Sequence, residues 1–327
     1  MTAHRRTYVS FFNMAGMEFK DCIVIGAGPA GMTAALYLHR FHRNVTVLDA
    51  GNSRARWIPR THNCPGFPGG LSGDELLSRL HTQAVEYGTR VIRATASQML
   101  PVHGGFQVTD TDGEQYHGRT VLLATGIKDA LPPQPRMEEA VACGAIRLCA
   151  ICDGYEASDN NLAVYGPLRS AFEHARFMRT YSATVTLVQS DEVSVDAQLR
   201  QSAEDLGITL MTRPRDLLFD GTRCVFAEEN GKHHHFDTVY PVLGSRSQAT
   251  LATALGASVD AKNELVVGAD QMTSIDGLYA VGDVVSALNQ ISVAVGHAAI
   301  AATAIHNVLP RNLRSQGSAC SMRNMPL

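Results

Sequence analysis

The sequence lacks an excess of positive charge, a long apolar run and a framework of paired cysteines. Its 28 lysines and arginines stand against 31 aspartates and glutamates, which argues against binding to nucleic-acid phosphates. No apolar stretch approaches about 18 residues, so the sequence predicts no membrane span. The seven cysteines are odd in number and scattered through a long chain, which excludes a secreted disulfide scaffold.

The start of the chain lacks the features of a secretion signal. Residues 1–17 carry Arg5 and Arg6 but only a broken apolar stretch and no cleavage site. The sequence therefore predicts a cytoplasmic protein, with Met14 and Met17 as alternative translation starts. A length of 327 residues predicts about two folded domains.

A strand, a glycine turn, a helix and a second strand follow one another near the N-terminus. Residues 22–25 form a short β-branched run, and residues 44–48 form another that ends in Asp49. The turn between them fills the pattern G-x-G-x-x-G with Gly26, Gly28, Pro29, Ala30 and Gly31. Such a turn brings backbone N–H groups and a helix N-terminus to a pyrophosphate, and Asp49 is placed to bind a ribose. A glycine turn without a ligand is the alternative.

The same pattern returns later in the chain. A proline-rich linker at 131–135 separates the first unit from a second strand, glycine turn, helix and strand over residues 162–188. The sequence therefore predicts an α/β protein with two Rossmann-like domains, the second inserted into the first. The predicted boundaries are an N-terminal extension (1–19), a first domain in two parts (20–129 and 244–309), an inserted domain (130–243) and a tail (310–327).

A C-x-x-C motif lies just ahead of the second unit. Cys149 and Cys152 are spaced to close a reducible disulfide, and a helix N-terminus beside them would lower the pKa of one thiol. A zinc site would need a second pair at ribbon spacing, but Cys143 and Cys224 are isolated. A simple pair of core cysteines is a further alternative. Asp153 is placed either for acid–base work or as a helix N-cap.

Two strand-end motifs complete the pattern, at residues 124–126 and 277–283. With the glycine turn and the cysteine pair, they occur in the order found in low-molecular-weight thioredoxin reductases, which the chain resembles from about residue 20 to residue 308. The resemblance implies an FAD-dependent homodimer that reduces a thioredoxin-like protein and binds no metal. It also implies that Cys152 lies next to the flavin, that Cys149 attacks the partner disulfide and that Asp153 handles the proton.

The resemblance also carries over the family's flavin contacts, position by position. Asp283 matches the aspartate that holds the ribityl chain, and Asn289 stands where the family has an arginine, which removes a positive charge near the flavin. The contacts it implies beyond the glycine turn and Asp49 are Asn63, Ala124, Thr125, Gly126, Gly282, Asp283, Asn289, Gln290 and Ile291.

The inserted domain departs from the family at the nucleotide site. Leu168 replaces the glycine that admits a pyrophosphate, so its side chain is expected to stand where the phosphates need the backbone. Residues 189–192 (Gln-Ser-Asp-Glu) replace the family's His-Arg-Arg run and offer no cation to a 2′-phosphate. The sequence therefore predicts an electron donor other than NADPH, either ferredoxin or a second flavin. A thiol oxidase and a flavin redox sensor without turnover remain alternatives.

Three smaller features have less specific interpretations. The run from His233 to His235 is expected to be a solvated hairpin rather than a metal site, because adjacent strand residues face opposite sides. Cys64 is expected to be a buried thiol beside the flavin segment. Cys320, in the tail, is interpreted as a thiol without a role, with a third redox thiol as the alternative.

Overall fold

The computed structural model describes residues 18–285 and 288–314. The predictions about the translation start and about Cys320 lie outside the described residues. The helices are α1 (Pro29–Arg40), α2 (Gly73–Glu86), α3 (Met137–Ala142), α4 (Ala150–Asp153), α5 (Leu168–Met178), α6 (Ala197–Asp205), α7 (Thr250–Thr253) and α8 (Ile291–Val308). Short 3-10 turns lie at Arg54–Trp57, Tyr155–Ala157 and Gly282–Val284.

Sixteen strands are present in the described ranges. They are β1 (Lys20–Ile25), β2 (Val45–Asp49), β3 (Arg90–Arg93), β4 (Ala96–Val102), β5 (Gly105–Asp110), β6 (Gln115–Leu123), β7 (Ile127–Asp129), β8 (Leu162–Gly166), β9 (Val185–Gln189), β10 (Ile208–Met211), β11 (Asp216–Phe219), β12 (Cys224–Ala227), β13 (His233–Phe236), β14 (Thr238–Pro241), β15 (Ser245–Ser247) and β16 (Leu278–Ala280).

The first sheet has seven strands in the order β3-β2-β1-β6-β5-β4, with β16 also paired to β6. β1 is parallel to both β2 and β6, and its residues 22–25 are almost completely buried, as their β-branched run predicts. α1 and α8 pack together against one face of this sheet. Because β16 is parallel to β6, the chain returns to the first sheet after the inserted segment.

The inserted segment builds a second parallel sheet, in the order β10-β9-β8-β14, and a three-stranded antiparallel sheet of β11, β12 and β13. α5 packs on β8 and β9, which completes the second strand, turn, helix and strand unit. β7 and β15 pair antiparallel where the chain leaves and re-enters the first domain. The predicted α/β class is therefore confirmed.

The expectation that no apolar stretch reaches membrane-spanning length is wrong for α8. This helix has 18 residues and is apolar enough, by length and composition alone, to cross a membrane. Its alanine-rich face, with Ala294, Ala298, Ala301 and Ala302, is buried in the core formed with α1. Small residues allow the two helices to approach closely, so packing against α1 accounts for the alanine-rich face of α8.

Candidate active site

The two cysteines of the C-x-x-C motif are joined in a disulfide. Cys149 is the N-cap of α4, and its Sγ accepts a hydrogen bond from the Cys152 backbone N–H at 3.2 Å. Both cysteines are partly exposed. The other cysteines in the described part of the chain are free, namely Cys22, Cys64, Cys143 and Cys224.

A hydrogen-bonded chain of side chains from the first domain reaches this disulfide. Gln290 Nε2 donates to Cys152 Sγ at 3.4 Å and to Cys149 Sγ at 3.6 Å. Its Oε1 accepts from Asn63 Nδ2 at 3.0 Å, and Asn63 Oδ1 accepts from the Thr61 hydroxyl at 2.8 Å. Asn63 and Gln290 come from the two segments predicted to border the flavin, and the structure brings both to the cysteine pair.

Asp153 is the last residue of α4, so the alternative that it is a helix N-cap is wrong; Cys149 takes that position. Its carboxyl group accepts from the Tyr240 hydroxyl at 3.2 Å and forms an ion pair with Arg147 at 3.3 Å. Burial raises the pKa of Asp153, and the nearby Arg147 guanidinium opposes that rise. The carboxyl group is therefore a half-buried acid that directly follows Cys152 in the chain.

The glycine turn lies between β1 and α1, with Pro29 as the first residue of the helix. Gly26 has a φ of +106°, and a Cβ there would lie 2.4 Å from the carbonyl oxygen of Ala124. A Cβ on Gly31 would lie 1.9 Å from the carbonyl oxygen of Gly26. Close packing therefore requires glycine at both positions. A Cβ on Gly28 would instead contact the Ser53 side chain, at 3.3 Å from Oγ, rather than the backbone, which fits a cradle for a pyrophosphate.

The other predicted first-domain residues converge on the same edge of the sheet. β1, β6 and β16 are parallel neighbours, so the segments that follow them emerge side by side. Gly282 packs against Ala30, because a Cβ added to it would lie 3.1 Å from the Ala30 Cβ. Gln290 is the N-cap of α8, and Ile291 begins that helix. Asn289 Oδ1 is buried with no hydrogen-bond partner among the described residues, which fits a ligand at this edge.

Three of the predicted flavin contacts, namely Asp49, Thr125 and Gly126, make hydrogen bonds within the protein. Asp49 Oδ1 accepts from the Ala27 backbone N–H at 3.3 Å, so it supports the glycine turn as well as facing the site. The Thr125 hydroxyl donates to the backbone oxygen of Gln248, and Gly126 O accepts from the Gln248 N–H. Thr125 and Gly126 therefore tie the two connecting segments together.

Sequence reasoning missed Arg54, which lies at the centre of a charged cluster. Its guanidinium holds Asp129 through contacts of 2.6 and 3.1 Å and lies 3.6 Å from the carboxylate of Asp283. Burial raises the pKa of Asp283, and Arg54 opposes that rise. Asp129 is in β7, so the cluster links the predicted ribityl-binding aspartate to the strand that leads into the inserted domain. No motif in the sequence marks Arg54.

The glycine loop of the inserted domain is closed by an acidic residue of the same chain. The Leu168 backbone N–H, at the first position of α5, donates to the Asp191 carboxylate at 3.1 and 3.3 Å. Gln189 Nε2 also donates to Asp191 at 3.3 Å. The Leu168 side chain is 3% exposed and lies in the domain core, so the expectation that it occupies the phosphate position is wrong. The Asp191 carboxylate is the group that takes the helix N-terminal donor there.

One cation approaches the acidic run from the next strand. Arg213, which follows β10, forms an ion pair with Glu192 at 2.9 Å. The two residues line a small cavity of about 310 Å³ at the edge of the second sheet, together with Pro214, Arg215 and Glu229. Residues 189–192 contain no cation. The fold brings Arg213 to them, but its guanidinium is already paired with Glu192.

The histidine run alternates between the two sides of its strand as predicted, whereas Cys64 is less buried than predicted. His233 to His235 lie in β13 on alternating sides, as predicted, and His234 pairs with Glu228. Cys64 is half-buried rather than buried. Burial raises the pKa of the Cys64 thiol, so the thiolate is not favoured there.

Comparison with known proteins identifies the family. Residues 20–298 match the family described as pyridine nucleotide-disulphide oxidoreductase. A thioredoxin reductase of Aquifex aeolicus is 27% identical over 86% of this chain and 89% of its own length. The crystal structure of a thioredoxin reductase from Streptococcus pyogenes aligns with a TM-score of 0.80 at 26% identity, over 88% of this chain and 97% of that one.

A second solved structure gives the same result. The crystal structure of HlmI aligns with a TM-score of 0.82 at 26% identity and covers 91% of this chain and 94% of that one. These matches confirm the predicted pair of Rossmann-like domains and the predicted family. The chain belongs to the pyridine nucleotide-disulphide oxidoreductases, as a thioredoxin reductase-like flavoprotein that binds FAD.

Proposed function

We propose that the Cys149–Cys152 pair exchanges two electrons with the flavin of FAD and passes them to a disulfide of a thioredoxin-like protein. One observation carries this proposal: Gln290, the middle residue of a segment implied to contact the flavin, donates hydrogen bonds to both sulfurs. Asn63, from the other implied flavin segment, supports Gln290 and donates to Ile151 O at 3.5 Å, inside the C-x-x-C motif. These contacts support a position of the redox pair beside the flavin.

Bound FAD supplies a two-electron carrier, and the residues that would hold it are Gly26, Gly28, Gly31, Asp283 and Asn289. The exchange of disulfide bonds with the partner is carried out by the two cysteines. The Cys149 thiolate attacks one sulfur of the partner disulfide, and the other partner sulfur leaves as a thiolate that takes a proton. The Cys152 thiolate then attacks Cys149 in the mixed disulfide, which restores the Cys149–Cys152 bond and releases the partner as a dithiol.

The glycine cradle makes a testable prediction about FAD. Gly28→Ala is expected to weaken FAD binding by about tenfold, because the new Cβ displaces the pyrophosphate from a backbone hydrogen bond worth about 1.4 kcal/mol. Gly28 has an ordinary φ of −71°, so the fold tolerates alanine. FAD titration of the apoprotein measures the change. Gly69→Ala, with no atom near the added Cβ, is the control. Equal FAD affinity in both variants would contradict a pyrophosphate at Gly28.

Asp153 is proposed to return a proton to the leaving thiolate, and this predicts a pH dependence. Its pKa is raised by burial above the ordinary value of 3.8, so the proton-donating form persists to higher pH than in a free aspartate. Turnover should fall as pH rises through that raised pKa. Asp153→Asn is expected to lower turnover by about a hundredfold and to remove this limb of the profile.

A carboxylate on the same surface provides the control for that prediction. Asp159→Asn changes an exposed aspartate whose positive φ of 63° asparagine adopts well, so both turnover and its pH profile should stay as in the unaltered protein. If turnover of Asp153→Asn still fell with rising pH over the same range, another group would deliver the proton.

The electron donor is proposed to be a reduced iron–sulfur protein such as ferredoxin rather than NADPH. Asp191 supports this proposal, because its carboxylate already accepts the α5 N-terminal N–H that a nucleotide phosphate would need. A second flavin in the inserted domain is the other donor considered. Anaerobic mixing with NADPH, NADH or reduced ferredoxin tests the proposal, and only ferredoxin is expected to bleach the flavin quickly. We propose in addition, on the family resemblance, that the enzyme is a cytoplasmic homodimer.

A thiol oxidase is the second candidate function. The closed nucleotide loop favours it equally, because electrons would then enter from a dithiol substrate and leave through the flavin to oxygen. The dithiol becomes a disulfide, and O₂ takes two electrons and two protons to give H₂O₂. Stopped-flow spectra with a dithiol, with and without oxygen, distinguish the cases. An oxidase reoxidises rapidly in air, whereas a redox sensor without turnover stays oxidised throughout.

A further inference from the structure

We infer that Gln290 is a catalytic residue whose side-chain amide stabilises the thiolate formed when the Cys149–Cys152 disulfide is reduced. The inference rests on the proposed function, since it assigns a role within the same redox step. Its basis is the direct contact of Gln290 Nε2 with both sulfurs, at 3.4 Å to Cys152 and 3.6 Å to Cys149. A neutral disulfide gains little from such a donor, whereas a thiolate gains a charge-assisted hydrogen bond.

The orientation of the Gln290 amide is fixed by a relay of hydrogen bonds. Thr61 is 2% exposed, and its hydroxyl donates to Asn63 Oδ1 at 2.8 Å. That bond turns Asn63 Nδ2 toward Gln290 Oε1, at 3.0 Å, and the Gln290 NH₂ group is then the part that faces the sulfurs. If the Gln290 amide flipped, its oxygen would face both a developing thiolate and the sulfur lone pairs, which is unfavourable.

The charges around the pair make this donor important. The resemblance places Asn289 where the family has an arginine, so the cation expected near the reaction centre is missing from that position. Arg147, two residues before Cys149, is held by the Asp153 carboxylate at 3.3 Å and is compensated by it. The Cys152 backbone N–H donates to Cys149 Sγ. Among the described residues, the Gln290 amide is the side-chain donor to Cys152 Sγ.

Gln290→Met tests this role, because methionine keeps the length of the side chain and removes both the donor and the acceptor. The protein is reduced anaerobically with a phosphine, and alkylation of Cys149 and Cys152 is followed against pH by peptide mass spectrometry. Loss of a hydrogen bond to a charged group predicts a rise of about one unit in the pKa of the Cys152 thiol, equivalent to about a tenfold smaller thiolate fraction. A smaller rise is expected for Cys149, whose contact is longer.

Two further variants separate this role from a merely structural one. Thr61→Val keeps the shape but removes the hydroxyl that orients the relay, so it should raise the Cys152 pKa in the same direction, by less. Thr61→Ser restores the hydroxyl and should restore the original pKa. Gln201→Met, on the exposed surface of α6, is the matched control and should leave the alkylation profile unchanged.

The outcomes distinguish this inference from the function on which it rests. An unchanged Cys152 pKa in Gln290→Met, in a protein whose flavin still exchanges electrons with the cysteines, would overturn the role of Gln290 alone. A flavin that exchanges no electrons with the cysteines in the unaltered protein would overturn the proposed function instead. Equal pKa shifts in Thr61→Val and Thr61→Ser would remove the orienting relay from the inference.

Discussion

Replacing Cys152 with serine is expected to lower the reduction of a thioredoxin-like disulfide by at least about a thousandfold while FAD stays bound. Serine keeps the size of the side chain but cannot form the disulfide that receives the electrons. Gln290 Nε2 contacts both sulfurs, and in the proposed function the flavin exchanges electrons with the protein through this pair. Turnover with a thioredoxin-like substrate and the flavin absorbance of the purified variant give the two readouts.

Cys149→Ser should cause a comparable loss by a different route. Cys152 would keep its hydrogen bond from Gln290 and its access to the flavin, but the thiol that attacks the partner would be absent. Cys143→Ser is the matched control, because Cys143 is an exposed, free cysteine of the same inserted segment. Full activity in Cys149→Ser or in Cys152→Ser would show that the disulfide is only structural.

The second large effect concerns the nicotinamide cofactors. NADPH is expected to bind two to four orders of magnitude more weakly than it binds a member of the family with an intact site, and NADH also poorly. Two missing Arg–phosphate interactions cost about 1.5–3 kcal/mol each. Asp191 adds a fixed negative charge at the α5 N-terminus, where it accepts the Leu168 N–H at 3.1 Å. The negative charge of Asp191 repels the pyrophosphate, which NADPH and NADH share.

Anaerobic titration of the flavin absorbance measures this prediction. Millimolar NADPH or NADH should leave the flavin oxidised, whereas dithionite should bleach it in the same sample and so show that it is reducible. The Asp191→Ala substitution frees the Leu168 N–H. The variant protein should therefore bind inorganic pyrophosphate more tightly than the unaltered protein does. Rapid, saturable bleaching by micromolar NADPH would return the chain to the ordinary nicotinamide-dependent members of the family.

The strand and turn pattern could be predicted from the sequence because it depends on local rules. The β-branched run at 22–25, the glycine turn and Asp49 each specify a short stretch of backbone, and all lie where predicted. The same holds for the pairing of Cys149 with Cys152, whose spacing places both at one end of a helical turn. In each case the interacting residues are close in sequence.

The remaining features depend on residues that are distant in sequence. Arg54 meets Asp129 and Asp283 only after the chain has returned through β16 to the first sheet, so no local pattern could reveal the cluster. The contact of Gln290 with Asn63 likewise joins segments more than 200 positions apart. The family resemblance implied that both residues contact the flavin, but it did not indicate that their side chains reach the cysteines.

Two wrong expectations have simple physical causes. Leu168 was assigned to the phosphate cleft because glycine normally stands there, but a leucine in the first turn of α5 gains more from burial in the domain core. The alternative that Asp153 caps a helix rested on the N-cap preference of aspartate, but Cys149 takes that position, four residues before the helix ends at Asp153. For Leu168, packing outweighed the preference read from the sequence.

Electron exchange between the flavin and the Cys149–Cys152 pair is the central claim, and anaerobic bleaching of the flavin by a dithiol tests it most directly. Dithiothreitol should reduce the disulfide first and then, through Cys152, the flavin, so the flavin absorbance of the unaltered protein should fall. Under the same conditions the flavin of Cys152→Ser should stay oxidised, while that of Cys143→Ser should bleach normally. Equal bleaching of Cys152→Ser and the unaltered protein, or no bleaching in either, would contradict electron transfer through these cysteines.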